Sequence, residues 1–295
     1  MFRIGIIGSD NSHADAFAKI VNLPDEKTGE YLFPDFKITS IFGIEKERTQ
    51  EVATKGKIEN IVEKPEDMLG KVDAVMVVFR HGDLHIQYAM PFIEAGIPTW
   101  IDKPFTIKNE DAKMIFKAAQ KHDALLTGGS SLKYIYDILM IKSAVENGSR
   151  IGKLKTAVIN FPATLENQYG GIYFYGAHLV EMTMKAFGYD ARSVVASESN
   201  GCVAAIVKYD DYQVTMNFIQ DSKEYLAILY GDKGTIIREI DSNGCYALEF
   251  EKFAEMMRTK KSVESYEHLY APVELLNAVV EAYTNKREVM LEGLK

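Results

Sequence analysis

Three stretches of this chain set reactive side chains beside segments that read as buried backbone. The first is Asp102-Lys103-Pro104-Phe105, directly behind the apolar run at residues 98–101. Packing need alone seldom places a lysine on a strand end against proline. Lys103 therefore reads as a site cation or a surface charge, and an ammonium there can stabilise negative charge that develops on an oxygen during reaction. The second is residues 170–181, which carry Gly176-Ala177-His178 and Glu181. An imidazole changes charge near neutrality and suits a general base, which makes His178 one of the histidines that could exchange a proton, with Tyr175 beside it as a hydrogen-bond partner and substrate contact. The aromatic run at 169–175 is either a surface for stacking a sugar ring or ordinary packing. The third is Gly8-Ser9-Asp10-Asn11-Ser12-His13, which follows the apolar residues 2–7. A helix that starts just behind a strand offers unpaired N–H groups and the positive end of its dipole, and both favour an anion.

These stretches need elements to position them. Residues 2–7, 37–42, 73–79, 98–101 and 124–126 read as short strands, apolar along most of their length. Helical patterns fall between them, at 14–21, 45–55, 83–95 and 109–121, the last capped by Asn109. Such strands, each followed by a helix, call for a parallel sheet covered on both faces, an α/β dinucleotide-binding domain of the Rossmann type over residues 1–128. In that fold ligands bind at the carboxyl ends of the strands. The pattern changes after Gly128-Gly129-Ser130-Ser131, read as the turn at a domain boundary. A helix at 134–147 comes next, then strands at 155–161, 193–197, 203–209, 213–219, 225–230 and 235–240, with turn signals between the later ones. Consecutive strands joined by tight turns imply a mostly antiparallel open sheet. With helices at 178–187 and 273–283, residues 129–295 read as an α+β domain for substrate binding and oligomerisation.

Composition narrows the field. At 295 residues the chain suits two domains, and 47% apolar with 26% charged residues suits a soluble globular protein. The 34 basic and 42 acidic residues leave a net charge of −8, which argues against nucleic acid or an anionic membrane as partner. Two cysteines without CxxC spacing point to a cytoplasmic protein. His13, His81 and His178 lack the spacing of a metal site, and none is expected.

The dinucleotide loop departs from G-x-G-x-x-G. Gly8 holds the first place, but Asp10 and His13 stand at the second and third glycines. Asp10 suits a helix N-cap, with Asn11 and Ser12 offering donors to phosphate oxygens. The expected cofactor contacts are Gly8, Ser9, Asp10, Asn11, Ser12, His13, Gly43, Glu45, Arg80, His81, His85, Lys103 and Pro104. At the end of the second strand Glu45 could reach ribose hydroxyls, or Lys46 and Arg48 a 2′-phosphate, so NAD and NADP both stay open.

Residues 73–128 resemble a stretch of the glucose-fructose oxidoreductase, inositol dehydrogenase and rhizopine catabolism family, which runs from Asp-Ala-Val through a helix bearing His to Glu-Lys-Pro. Asp102 stands for that Glu. Residues 170–181 are similar to the family's Gly-Gly…Asp-x-Gly-x-His-x-x-Asp stretch, with Phe174 for the first Asp and Glu181 for the second. The resemblance runs from Phe2 to about Tyr283. It implies NAD or NADP as cofactor, Lys103 beside the nicotinamide and the substrate hydroxyl, and His178 on the reacting hydroxyl. The implied activity moves a hydride between a sugar, cyclitol or related polyol hydroxyl carbon and nicotinamide, in a divergent dimeric or tetrameric member. The alternatives are a dinucleotide-binding sensor without turnover, and a lyase or hydrolase that uses tightly bound NAD transiently.

Overall fold

The computed structural model describes residues 1–148 and 150–294. They form two compact units. The first comprises Met1–Thr106, Glu110–Gly128 and Tyr246–Glu264; the second comprises Ile107–Asn109, Gly129–Cys245 and the chain from Ser265 on.

The first unit opens with β1 (Phe2–Ile7), α1 (Ser12–Asn22), β2 (Phe36–Phe42), α2 (Lys46–Lys55), β3 (Asn60–Ile61), β4 (Ala74–Val77), α3 (Asp83–Glu94) and β5 (Thr99–Asp102). It continues with α4 (Asn109–Lys121) and β6 (Leu126–Gly129). The sheet order is β3-β2-β1-β4-β5-β6, and β1 pairs in parallel with both β2 and β4. That order reverses direction between β1 and β4, which opens a crevice at the carboxyl ends of these strands. All four residues of β4 and of β5 are buried, as strands covered on both faces require. Helix α1 buries Ala14, Phe17, Ala18 and Val21, one stripe at three- and four-residue spacing.

The second unit holds α5 (Tyr136–Asn147), β7 (Leu154–Pro162), α6 (Ile172–Phe187), β8 (Ser193–Ser199), β9 (Cys202–Lys208), β10 (Gln213–Ile219), β11 (Leu226–Gly231) and β12 (Thr235–Glu239). After α7 (Cys245–Thr259) it closes with α8 (Tyr266–Asn285) and β13 (Val289–Met290). Its sheet order is β12-β11-β7-β10-β9-β8-β13. The hairpins β8–β9, β9–β10 and β11–β12 are antiparallel, as their tight turns dictate. β7 and β10 pair in parallel, so the sheet is mixed. The reason is sequence separation: α6 and the β8–β9 hairpin carry the chain away from β7, and no turn ties it to its neighbour.

Three elements differ from the sequence reading in a way that matters. Helix α6 begins at Ile172, so His178 lies inside the helix rather than at its start. Strand β6 runs into the Gly128-Gly129 turn instead of ending at 126. Helix α7, which the sequence reading left without an element, packs with the first unit. Its Phe250, Phe253, Ala254, Met256 and Met257 are fully buried in a cluster with Ile4, Phe17 and Trp100. The Phe33 and Phe250 rings lie 4.6 Å apart, and those of Trp100 and Phe253 5.6 Å apart. The units change over between Gly128 and Gly129, and residues 246–264 belong to the first. Among the described residues no helix is long and apolar enough to cross a membrane.

Candidate active site

In the first unit the loop after β1 turns inward. Gly8 has φ +110°, and a Cβ there would come 2.8 Å from the backbone nitrogen of Phe79, so only glycine fits this approach to the end of β4. Ser9 is buried, and its hydroxyl lies 2.8 Å from that of Thr49. A side chain at Gly43 would occupy the place of those two hydroxyls. Ser9 and Gly43 thus lock β1 to α2. The N-cap of α1 is Asn11, whose side chain accepts from the His13 amide; Asp10 was expected in that role. Asp10 accepts from the Arg80 amide at 3.2 Å instead, which ties the β1 loop to the end of β4. Its other oxygen, Oδ1, is buried without a hydrogen bond, and burial raises its carboxyl above the ordinary range although the Arg80 amide opposes this. Ser12 is the exposed member of the loop.

His13 was expected at the cofactor. It is buried, with Nδ1 2.6 Å from Asp102 Oδ2. Asp102 also accepts from Asn11 Nδ2 at 3.3 Å and from the Lys103 amide at 2.8 Å. A carboxylate buried at a strand end needs such partners. Burial pushes Asp102 up, but the charge and hydrogen bond of His13 outweigh this and hold it below the ordinary carboxylate range. His13 at the third glycine place and Asp102 beside the lysine are therefore one compensated pair.

Lys103 sits at the end of β5 and is 1% exposed. Burial pulls its ammonium down to about 8, against the favourable charges of Asp102 and Glu249, and Arg80 adds to the depression. The Lys103-Pro104 peptide bond is cis. His85 holds the turn that follows. Its Nδ1 lies 2.8 Å from the Pro104 carbonyl and its Nε2 2.9 Å from the Phe79 carbonyl. Burial also pushes the His85 imidazole down. Both nitrogens lie against main-chain carbonyls, so His85 fixes the Lys103 turn. His81 Nδ1 accepts from the Asp83 amide at the start of α3. Around the end of β2, Glu45 is exposed and makes no side-chain cap bond, while Arg48 pairs with Asp15 and Glu51 and Lys46 with Glu63.

In the second unit His178 is buried on α6. Its Nδ1 lies 2.6 Å from the Ser130 hydroxyl. Tyr175 packs its ring 6.1 Å from the imidazole, and Phe161 packs at 5.6 Å. The Nδ1 partner is thus Ser130, in place of the expected Tyr175, because Ser130 lies in the turn that α6 covers. Phe174 stacks between Tyr169 and Tyr175 rings, at 5.3 and 4.8 Å. Glu181, one turn beyond His178, accepts from the Ser130 amide at 3.0 Å and pairs with Lys133 at 2.9 Å. Lys133 and Ser130 escaped the sequence reading. A lysine inside an otherwise apolar run, Leu132 to Ile135, was the available signal. Among the described residues no group of three His, Cys, Asp or Glu could hold a metal ion.

With this geometry in view, the comparisons narrow the class. Residues 2–130 match the model of an oxidoreductase family with an NAD-binding Rossmann fold. The chain is 24% identical over 250 residues to scyllo-inositol 2-dehydrogenase (NADP(+)) of Bacillus subtilis, covering 80% of this chain and 63% of that protein. It is 28% identical over 134 residues to an uncharacterised oxidoreductase of Escherichia coli, YhhX, covering 41% of this chain and 39% of that one. Each match thus spans less than two thirds of the relative. The fold also matches the scyllo-inositol dehydrogenase of Lactobacillus casei, solved with NAD(H) and scyllo-inositol: TM-score 0.81, 16% identity, 98% of this chain and 99% of that one. The myo-inositol dehydrogenase of Corynebacterium glutamicum superposes with TM-score 0.81 at 17% identity, covering 99% of each chain.

Proposed function

We propose that the protein is a dehydrogenase that moves a hydride between the carbon of a sugar, cyclitol or related polyol hydroxyl and a nicotinamide. The observation that carries this reading is Lys103: a fully buried ammonium, brought to about 8, at the carboxyl end of a strand in an NAD-binding unit. A buried cation whose pKa is lowered, at the strand end where ligands bind, supports a working role.

The residues of the first unit fit a dinucleotide. The N-terminus of α1 and the exposed Ser12 offer donors to phosphate oxygens. Asp10 Oδ1 lacks a donor, and a dinucleotide supplies several on its riboses and carboxamide. Glu45 is available for ribose hydroxyls, whereas Lys46 and Arg48 are engaged in ion pairs, which favours NAD over NADP. Bound, the cofactor supplies the hydride acceptor. Lys103 stabilises the alkoxide that develops on the substrate, and His178 takes the hydroxyl proton. Relatives that act on inositols make a cyclitol the first substrate to try. Phe174, where the family has an acid, favours a second reading, a dinucleotide sensor without turnover.

Thermal unfolding with NAD, NADH, NADP and NADPH tests the binding. A cofactor at a hundred times its dissociation constant should add about 2.7 kcal/mol. No shift with any of the four at high concentration overturns the reading. In a polyol and sugar screen Lys103→Met should abolish turnover while cofactor affinity stays within about tenfold. Binding without reduction of either cofactor by any substrate selects the sensor.

A further inference from the structure

Gly128-Gly129-Ser130-Ser131 reads in the sequence as a boundary turn, yet three of its features converge on His178 through buried contacts. Ser130 is fully buried, and its hydroxyl touches Nδ1 of His178 at 2.6 Å. The same hydroxyl accepts from the Leu132 amide at 3.1 Å, which caps the short helical turn that follows. The Ser130 amide donates to Glu181, and Glu181 is fixed in turn by Lys133. Gly129 makes room for this. It has φ +91°, and a Cβ there would fall 2.2 Å from a Glu181 oxygen, so only glycine lets the carboxylate reach the backbone.

We propose that Ser130 is the positioning residue of His178: it accepts the Nδ1 proton, so the proton exchanged with substrate is the one on Nε2. The inference rests on the dehydrogenase reading for what that proton does, but the hydrogen bond itself does not. A histidine base needs its second nitrogen held, since the partner of that nitrogen sets both tautomer and ring direction. In many such pairs the partner is a carboxylate, which also favours the charged ring. Here it is a neutral hydroxyl. Glu181, one turn along the same helix, accepts from the Ser130 amide and is balanced by Lys133. The rings of Phe161 and Tyr175 pack against the imidazole at 5.6 and 6.1 Å. During oxidation the substrate O–H bond breaks, its proton passes to Nε2, and the C–H electron pair leaves as hydride to the nicotinamide. Nδ1–H keeps its bond to Ser130 throughout. The buried pair Glu181–Lys133 thereby serves the base at one remove, by holding the main chain that carries the acceptor.

The test pairs kinetics with a spectrum that needs no turnover. Ser130→Ala should lower kcat by about a hundredfold, the low end of what a general base contributes, with KM little changed. Ser130→Thr, which keeps the hydroxyl, should recover most of the loss. In protein labelled with 15N-histidine, the His178 signals, assigned by their absence in His178→Gln, should show a protonated Nδ1 in wild type and in Ser130→Thr. In Ser130→Ala the tautomer should be mixed. Wild-type kcat and an unchanged His178 spectrum in Ser130→Ala overturn the proposal while leaving the dehydrogenase reading intact. A Ser130-dependent Nδ1 proton in a protein that reduces no cofactor upholds the hydrogen bond and overturns the dehydrogenase reading instead. If folded Ser130→Thr is as slow as Ser130→Ala, the hydroxyl is not the acceptor and the proposal fails.

Discussion

Lys103 and Lys133 are both buried lysines just beyond the end of a strand, and they are held in opposite ways. Lys133 has a carboxylate of Glu181 2.9 Å from its ammonium. Lys103 has Asp102 next to it in sequence, but that carboxylate is committed to His13, Asn11 and the Lys103 amide. The charge of Asp102 still acts on Lys103, yet burial prevails and brings it to about 8. Lys133 has its charge met at ion-pair distance, whereas for Lys103 burial outweighs the favourable charges of Asp102 and Glu249. Residue type and burial alone do not separate the two; the balance between burial and the nearby charges does.

Substitution should separate them sharply. The largest effect is expected at Lys133→Met, which leaves Glu181 charged and buried and should cost about 3–5 kcal/mol in denaturant unfolding. Adding Glu181→Leu should restore most of that loss, because the pair is then removed whole. If the single variant is as stable as wild type, the Lys133–Glu181 pair carries no such weight and the contrast dissolves.

Lys103→Met should act the other way. Below pH 8 the folded and unfolded chains both hold this proton, and the folded state bears the full cost of the buried charge. Between about 8 and the ordinary 10.5 only the folded chain has released it, so the cost fades and wild-type stability rises across that window. At pH 7 the cost is about 3 kcal/mol by the size of the shift, and the variant should be more stable by up to that amount. Unfolding measured from pH 7 to 10 should show the rise in wild type and not in Lys103→Met. A destabilised variant at pH 7 would place Lys103 with the structural lysine.

The smallest effect concerns the support of the poised group. His85→Ala removes the ring that ties the Pro104 and Phe79 carbonyls together and should cost roughly 1–3 kcal/mol. Its diagnostic sign is a Lys103 that titrates higher, read from the pH dependence of stability, because the loosened turn admits water.

The alternation of apolar runs and helical stripes gave away the parallel sheet, and the fold of residues 2–130 was legible from it. Lys103 and His178 were visible because each is a polar residue placed against a local pattern. What lay hidden were pairings between distant residues. Nothing near His13 announces that it will meet Asp102, 89 positions later, and the reading of it as a ligand contact gave no sign of that internal pairing. Ser9 was hidden for the same reason, since its hydroxyl is answered by Thr49 across the sheet edge. The parallel β7–β10 pair escaped because turn signals report only neighbours in sequence. Helix α7 escaped because its charged residues, Glu249, Glu251, Lys252 and Glu255, interrupt an apolar stripe that becomes clear only when the first unit supplies the other wall.

That helix also imposes an order on biosynthesis. The first unit draws Phe250, Phe253, Met256 and Met257 into its core from beyond residue 245, and Arg258 grips Asp35 with two hydrogen bonds. The nascent chain can form the strands and helices up to residue 128 early, but it emerges with an apolar face still waiting for α7. Domains commonly finish as units during synthesis; this one must stay incomplete while more than a hundred further residues are translated. A fragment that ends at residue 128 should accordingly expose Phe17, Phe33 and Trp100 and call on chaperones, and adding residues 246–264 as a separate peptide should rescue it.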